Sequence, residues 1–279
     1  MGMSVETYHE EIVRWRASMD ETLREENSWL ALTGLIWLEL DSTPFGADET
    51  LAIALQVPNL APIAGEFVRD EKGIELIVHP GSRVLVDGEP QDRVRLRPDK
   101  SGNPQVVTVG SFTMMLIERG ERLGIRLWDN ERPLRRSFGG RLWFPVDPVY
   151  RLTAKFIPYN PNKTIVIASE LGVGVPEPSP GSLEFELEGK LFRLDALERS
   201  SDGLFLLIKD ESSNDETYGS GRFLVTPAPE NGQVTLDFNR AYNPPCAFTP
   251  FATCPLPPAQ NHLTVAIRAG EKRPILPGD

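Results

Sequence analysis

The chain has 279 residues, 40% hydrophobic and 25% charged, the proportions of a folded protein with one large β domain or two ordinary ones. A formal net charge of −11 opposes nucleic acid phosphates and anionic lipid, so neither is an expected partner. No run of 18 apolar residues occurs, which excludes a transmembrane helix.

The opening segment, MGMSVETYHEEIVRWRASMD, is charged and lacks the apolar core of a secretion signal. Gly2 is followed by Glu6 where myristoylation requires Ser or Thr. The expectation is a cytoplasmic protein with reduced thiols. Tyr8, Ile12, Trp15, Met19 and Leu23 recur at spacings of three and four, so residues 1–28 are expected to form a helix packed along that stripe. His9 on this helix and His79 before Pro80 are read as ordinary surface or packing residues.

Beyond the apolar run SWLALTGLIWLEL, the period changes to two. GIELIV, SRVLV, RVRL, QVVTV, FTMMLIE and LGIRLW are separated by polar, Gly-containing turns. This pattern predicts an antiparallel sandwich over residues 29–136. The stretch from Arg132 to Asp147, rich in Gly and Pro, is expected to join two halves. A second β domain is expected over 137–279, with strands at YRLTAKFI, TIVIAS, LFLLIK, GRFLV, QVTLDF and LTVAIRA. Its clearest hairpin is SLEFELEGKLFRLDAL. There Leu183, Phe185 and Leu187 alternate with glutamates, Glu188-Gly189 turns, and Leu191 and Leu194 return. The fold class is therefore mainly β, an amino-terminal helix followed by two antiparallel sandwich or barrel halves.

The loop 237–258, DFNRAYNPPCAFTPFATCPLPP, concentrates the chemistry. It holds both cysteines, Cys246 and Cys254, and prolines at 244, 245, 250, 255, 257 and 258. Alternation along QVTLDF buries Val234, Leu236 and Phe238 and puts Asp237 and Asn239 on the opposite face. One reading makes this a small-molecule site or an enzyme. Asp237 or His262 would act as acid or base, Arg240 would stabilise an anion, and Cys246 would be a weaker candidate nucleophile. Tyr218, Arg222, Asn239, Tyr242 and Asn243 would contact substrate, with Arg222 clamping a carboxylate or neutralising Asp237. The other reading is structural. Asx side chains supply bonds in turns where proline has no N–H, and stiffness lowers the entropy of the unfolded loop. No cofactor is expected. A zinc site at Cys246, Cys254 and His262, with Asp237 as fourth ligand, is the minority reading, because no close CxxC pair is present. The acidic run KDESSNDETYGSGRFL lacks regular calcium-loop spacing and reads as a solvated hairpin loop. No P-loop, GxGxxG, GxSxG or HExxH motif occurs.

GLIWLE, TYGSGRFL and DFNRAYNPPCAFTPFATCPLPPAQNHLTVAIRAGE resemble the family catalogued as domain of unknown function 1684. That resemblance brings no reaction and no catalytic residues. Residues 42–128, through STPFGADETLAIALQVPNLAPIAGEF, IELIVHPGSRVLVDGEPQDRVRL and VVTVGSFTMMLIERG, resemble a forkhead-associated (FHA) sandwich. Ala47 stands where that resemblance places the phosphothreonine-binding arginine, and LAPIAGEF lacks the expected serine and histidine. The alternative function is thus a protein-interaction module whose FHA-like domain has lost phosphopeptide binding.

Overall fold

The computed structural model describes residues 5–39, 41–169, 172, 174–199 and 203–276. Gly2 and the start of the expected helix lie outside them. The chain divides into two compact units, residues 23–138 and a discontinuous unit of 1–22 with 139–279.

The unit of residues 23–138 contains β1 (Leu32–Trp37), β2 (Ser42–Gly46), β3 (Ile53–Ala54), β4 (Gly65–Asp70), β5 (Gly73–Val78), β6 (Leu85–Val86), β7 (Glu89–Pro90), β8 (Arg93–Arg95), β9 (Val106–Val109), β10 (Phe112–Arg119) and β11 (Arg122–Asp129). They form two sheets, ordered β1-β11-β10-β9-β6-β7 and β3-β2-β4-β5-β8. Pairing is antiparallel except between β2 and β3. Alternation explains the layers. Ile74 and Leu76 from one sheet, and Val107, Val109, Met114 and Ile125 from the other, point into one core. GIELIV coincides with β5. Strand β4 escaped the sequence reading because its inward positions begin on Gly65. The Phe45 ring lies over that glycine, where a β-carbon would come within 2.7 Å of it.

The other unit begins with helix α1 (Val5–Arg24), of which residues up to Thr22 belong here. Its strands are β12 (Arg151–Ala168), β13 (Gly174–Leu187), β14 (Lys190–Arg199), β15 (Gly203–Ile208), β16 (Arg222–Pro227) and β17 (Gln233–Asp237). They form one nearly closed, barrel-like sheet ordered β16-β15-β14-β13-β12-β17. YRLTAKFI and TIVIAS prove to be one strand, with a register irregularity between Pro158 and Lys163. The hairpin turns at Glu188 and Gly189, both with positive φ (51° and 72°), as a two-residue turn requires. Leu194 is buried, but Leu191 is 69% exposed, because residues three apart on a strand face opposite ways.

LTVAIRA corrects the sequence reading. Leu263, Val265, Ile267 and Ala269 are buried in the barrel core, as alternation requires, yet the segment is not a strand. Its backbone is held by other partners. Leu263 N donates to Lys209 O, and Ile267 N donates to the Asp210 carboxylate. The carbonyls of Ile267 and Ala269 accept from the Arg222 guanidinium. Side chains replace the ladder, so buried backbone groups remain paired.

Candidate functional site

In the sheet order β16 and β17 are the two terminal strands, so the barrel has a seam between them. A cavity of about 440 Å³ lies there. Val225, Thr226 and Pro227 of β16, Thr235 and Asp237 of β17, Arg151 of β12 and Arg240 line it. Helix α1 adds Tyr8 and Glu11, three residues apart and therefore on one face.

Asp237 ends β17 and caps the following 3₁₀ turn, accepting from Asn239 N at 3.1 Å. Tyr8 Oη donates to its carboxylate, 2.9 Å from each oxygen, and accepts from Asn239 Nδ2 at 3.0 Å. The Asn239 amide also clasps the backbone of Asp147, donating to its O at 2.8 Å and accepting from its N at 3.0 Å. Burial, then the charge and hydrogen bond of Asp237, push the Tyr8 phenol well above its ordinary value. It stays a donor at any physiological pH. Asp237 and Asn239 do face away from Val234, Leu236 and Phe238, but both are buried, because α1 covers that side. In the sequence, Tyr8 is marked only as part of the packing stripe. Its signal was a phenol in an apolar stripe, since a buried hydroxyl needs a partner.

The two arginines of the cavity differ. Arg240 pairs with Glu11, sits 3.8 Å from Asp237 Oδ2, and packs over the Trp15 ring at 5.4 Å. Arg151 is exposed and stacks over the Tyr8 ring at 4.8 Å. Among the described residues it forms no ion pair.

The remaining predicted residues lie elsewhere. Arg222 does not neutralise Asp237. It is buried in an ion pair with Asp210, at 2.8 Å, while it holds the carboxy-terminal carbonyls. The acidic run is accordingly not a wholly solvated loop, since Asp210, Ser212 and Thr217 are buried and hydrogen-bonded together. Tyr242 exchanges backbone hydrogen bonds with Phe223, and their rings meet edge-on at 5.9 Å. Tyr218 Oη donates to Cys246 O at 2.9 Å. Asn243 is buried, its N–H donating to Glu271 and its amide to Lys272 O at 2.7 Å. Burial raises the pKa of that enclosed Glu271, against the opposing pull of Arg141. Tyr218, Tyr242 and Asn243 thus bond to neighbouring segments of the chain and are not in the lining of the seam cavity.

Cys246 and Cys254 are unjoined thiols, with Cys246 N donating to Cys254 Sγ at 3.2 Å. His262 is exposed and lines a different cavity, of about 290 Å³, with Arg193 and Gln260. Among the described residues no group of three or more His, Cys, Asp or Glu is placed to hold a metal ion. Nor is any described helix long and apolar enough to cross a membrane.

Residues 136–272 match the family described as "Protein of unknown function (DUF1684)". A solution NMR structure of an uncharacterised protein from Haloarcula marismortui is 31% identical, over 50% of this chain and 78% of that one, with a TM-score of 0.42. No curated protein matches. The chain belongs to the DUF1684 family.

Proposed function

We propose that this member of the DUF1684 family binds a small molecule bearing an anionic group in the seam cavity, with Arg151 as its anchor. The observation that carries the reading is the contrast between the cavity's two cations. Arg240 pairs with Glu11 and Asp237, whereas Arg151 stacks over the Tyr8 ring and, among the described residues, forms no ion pair. A guanidinium fixed in a half-enclosed cleft suits a carboxylate or phosphate group, which it can engage through two parallel hydrogen bonds. The volume of about 440 Å³ is within the range of small-ligand sites. Thr235 adds a hydroxyl for orientation, and Val225 and Pro227 an apolar wall.

Asp237 acts here by positioning. Its oxygens are engaged by Tyr8 and Asn239, so it orders the cavity floor and holds Arg240. Cys246 and His262 are outside the lining, which makes ligand binding a better-supported reading than nucleophilic catalysis. We place this activity in the cytoplasm, a reading supported by the two unjoined thiols.

Thermal shift and calorimetric titration with inorganic phosphate and short mono- and dicarboxylates test the proposal. The expected result is stabilisation by at least one of these anions that disappears in Arg151→Gln, while the unliganded melting temperature is unchanged. Stabilisation that survives Arg151→Gln, or no response to any of these anions, would overturn it.

A further inference from the structure

We infer that Cys246 and Cys254 form a reversible dithiol–disulfide couple, a modification site built into the proline loop. The backbone supplies the first argument. Cys254 Sγ accepts from Cys246 N at 3.2 Å. An N–Cα bond of about 1.46 Å then keeps that sulfur within roughly 4.7 Å of Cys246 Cα. The Cys254 sulfur is therefore within reach of the Cys246 side chain, and closing the bond asks for side-chain rotation with at most a small shift of the loop.

The second argument is how the two ends are held. Pro245, Cys246 and Ala247 form a 3₁₀ turn, and Tyr218 Oη anchors the Cys246 carbonyl at 2.9 Å. Between the cysteines, Phe248 and Thr249 are buried, and the Arg141 guanidinium lies 4.9 Å above the Phe248 ring. Prolines flank both thiols, so the loop has little freedom to part them. Two thiols kept this close are poised for exchange.

The third argument is the difference in access. Cys246 is half-buried and Cys254 is buried. A small disulfide oxidant therefore meets Cys246 first. The Cys246 thiolate attacks one sulfur of the oxidant and forms a mixed disulfide with it, while the oxidant's other sulfur leaves as a thiolate. The Cys254 thiolate then attacks Cys246 Sγ and expels the second thiol. The two thiol protons and two electrons pass to the oxidant, one disulfide is reduced to two thiols, and one new disulfide closes. The Cys246 N–H faces the sulfur on which charge must develop in the second step.

Titration of the native full chain with oxidised glutathione, read by intact mass and peptide mapping, tests this. The expected product has lost two hydrogens, retains no glutathione, carries a Cys246–Cys254 crosslink, and returns to the dithiol with dithiothreitol. Cys254→Ser should instead accumulate a stable glutathione adduct at Cys246, because the resolving thiol is gone. A persistent glutathione adduct on the unsubstituted chain would overturn the inference. So would two thiols that react only after unfolding.

Discussion

Arg222–Asp210 and Arg240–Asp237, both in the barrel-like unit, are Arg–Asp pairs that differ in enclosure. Arg222 and Asp210 have side chains that are each 1% exposed; beyond their own contact they bond mainly to backbone, with the Ser212 hydroxyl also donating to Asp210 and Arg222 Nε left without a hydrogen bond. Arg240 and Asp237 are 27% and 8% exposed and face a cavity. The sealed pair completes a core by taking the place of a strand. The open pair completes a wall. Residue type therefore does not separate scaffold from site here. What separates them is whether water, and hence a ligand, can reach the charge.

The largest effect expected from breaking this comparison is at the sealed pair. Arg222→Ala leaves Asp210 charged and buried and frees the carbonyls of Ile267 and Ala269. It should cost about 3–5 kcal/mol, measured by urea denaturation. Loss of less than about 1 kcal/mol would mean that water reaches this pair. Next comes Tyr8→Phe, which removes the donor to Asp237 and should cost about 1–3 kcal/mol.

The same substitution has a pH signature. The folded phenol titrates above the ordinary value of 10.0, so its contribution is fully present below pH 10 and is lost as pH rises beyond that through the folded value. The unsubstituted protein should lose stability above pH 10 more steeply than Tyr8→Phe does. Parallel stability profiles in that range would show that Tyr8 is not held as a donor.

The smallest stability effect belongs to the open pair. Arg240→Gln should change stability by no more than about 1 kcal/mol, because its Glu11 partner is 41% exposed and Tyr8 and Asn239 still bond the Asp237 carboxylate. It should still weaken anion binding by freeing Glu11 and Asp237 to repel the ligand. Unchanged affinity in Arg240→Gln would separate Asp237 from the site and leave Arg151 acting alone.

Local pattern determined much of this molecule. Period two marked most strands, the i, i+3, i+4 stripe marked α1, and Glu188-Gly189 marked the hairpin, because each depends only on side-chain direction and local backbone freedom. Pattern also marked Leu263, Val265, Ile267 and Ala269 as inward-facing. It could not show that their backbone would be held by Arg222 and Asp210, since those partners are some 45 to 57 residues away in sequence. The same limit applies to the site. Asp237 and Arg240 were legible as polar residues leaving a strand, but Tyr8 and Glu11 are more than two hundred residues earlier. Only tertiary structure decided that the helix covers the outer side of β17 and that the barrel has its seam at the same place. Side-chain direction is a local property that sequence carries directly, whereas enclosure is set by which distant elements come together.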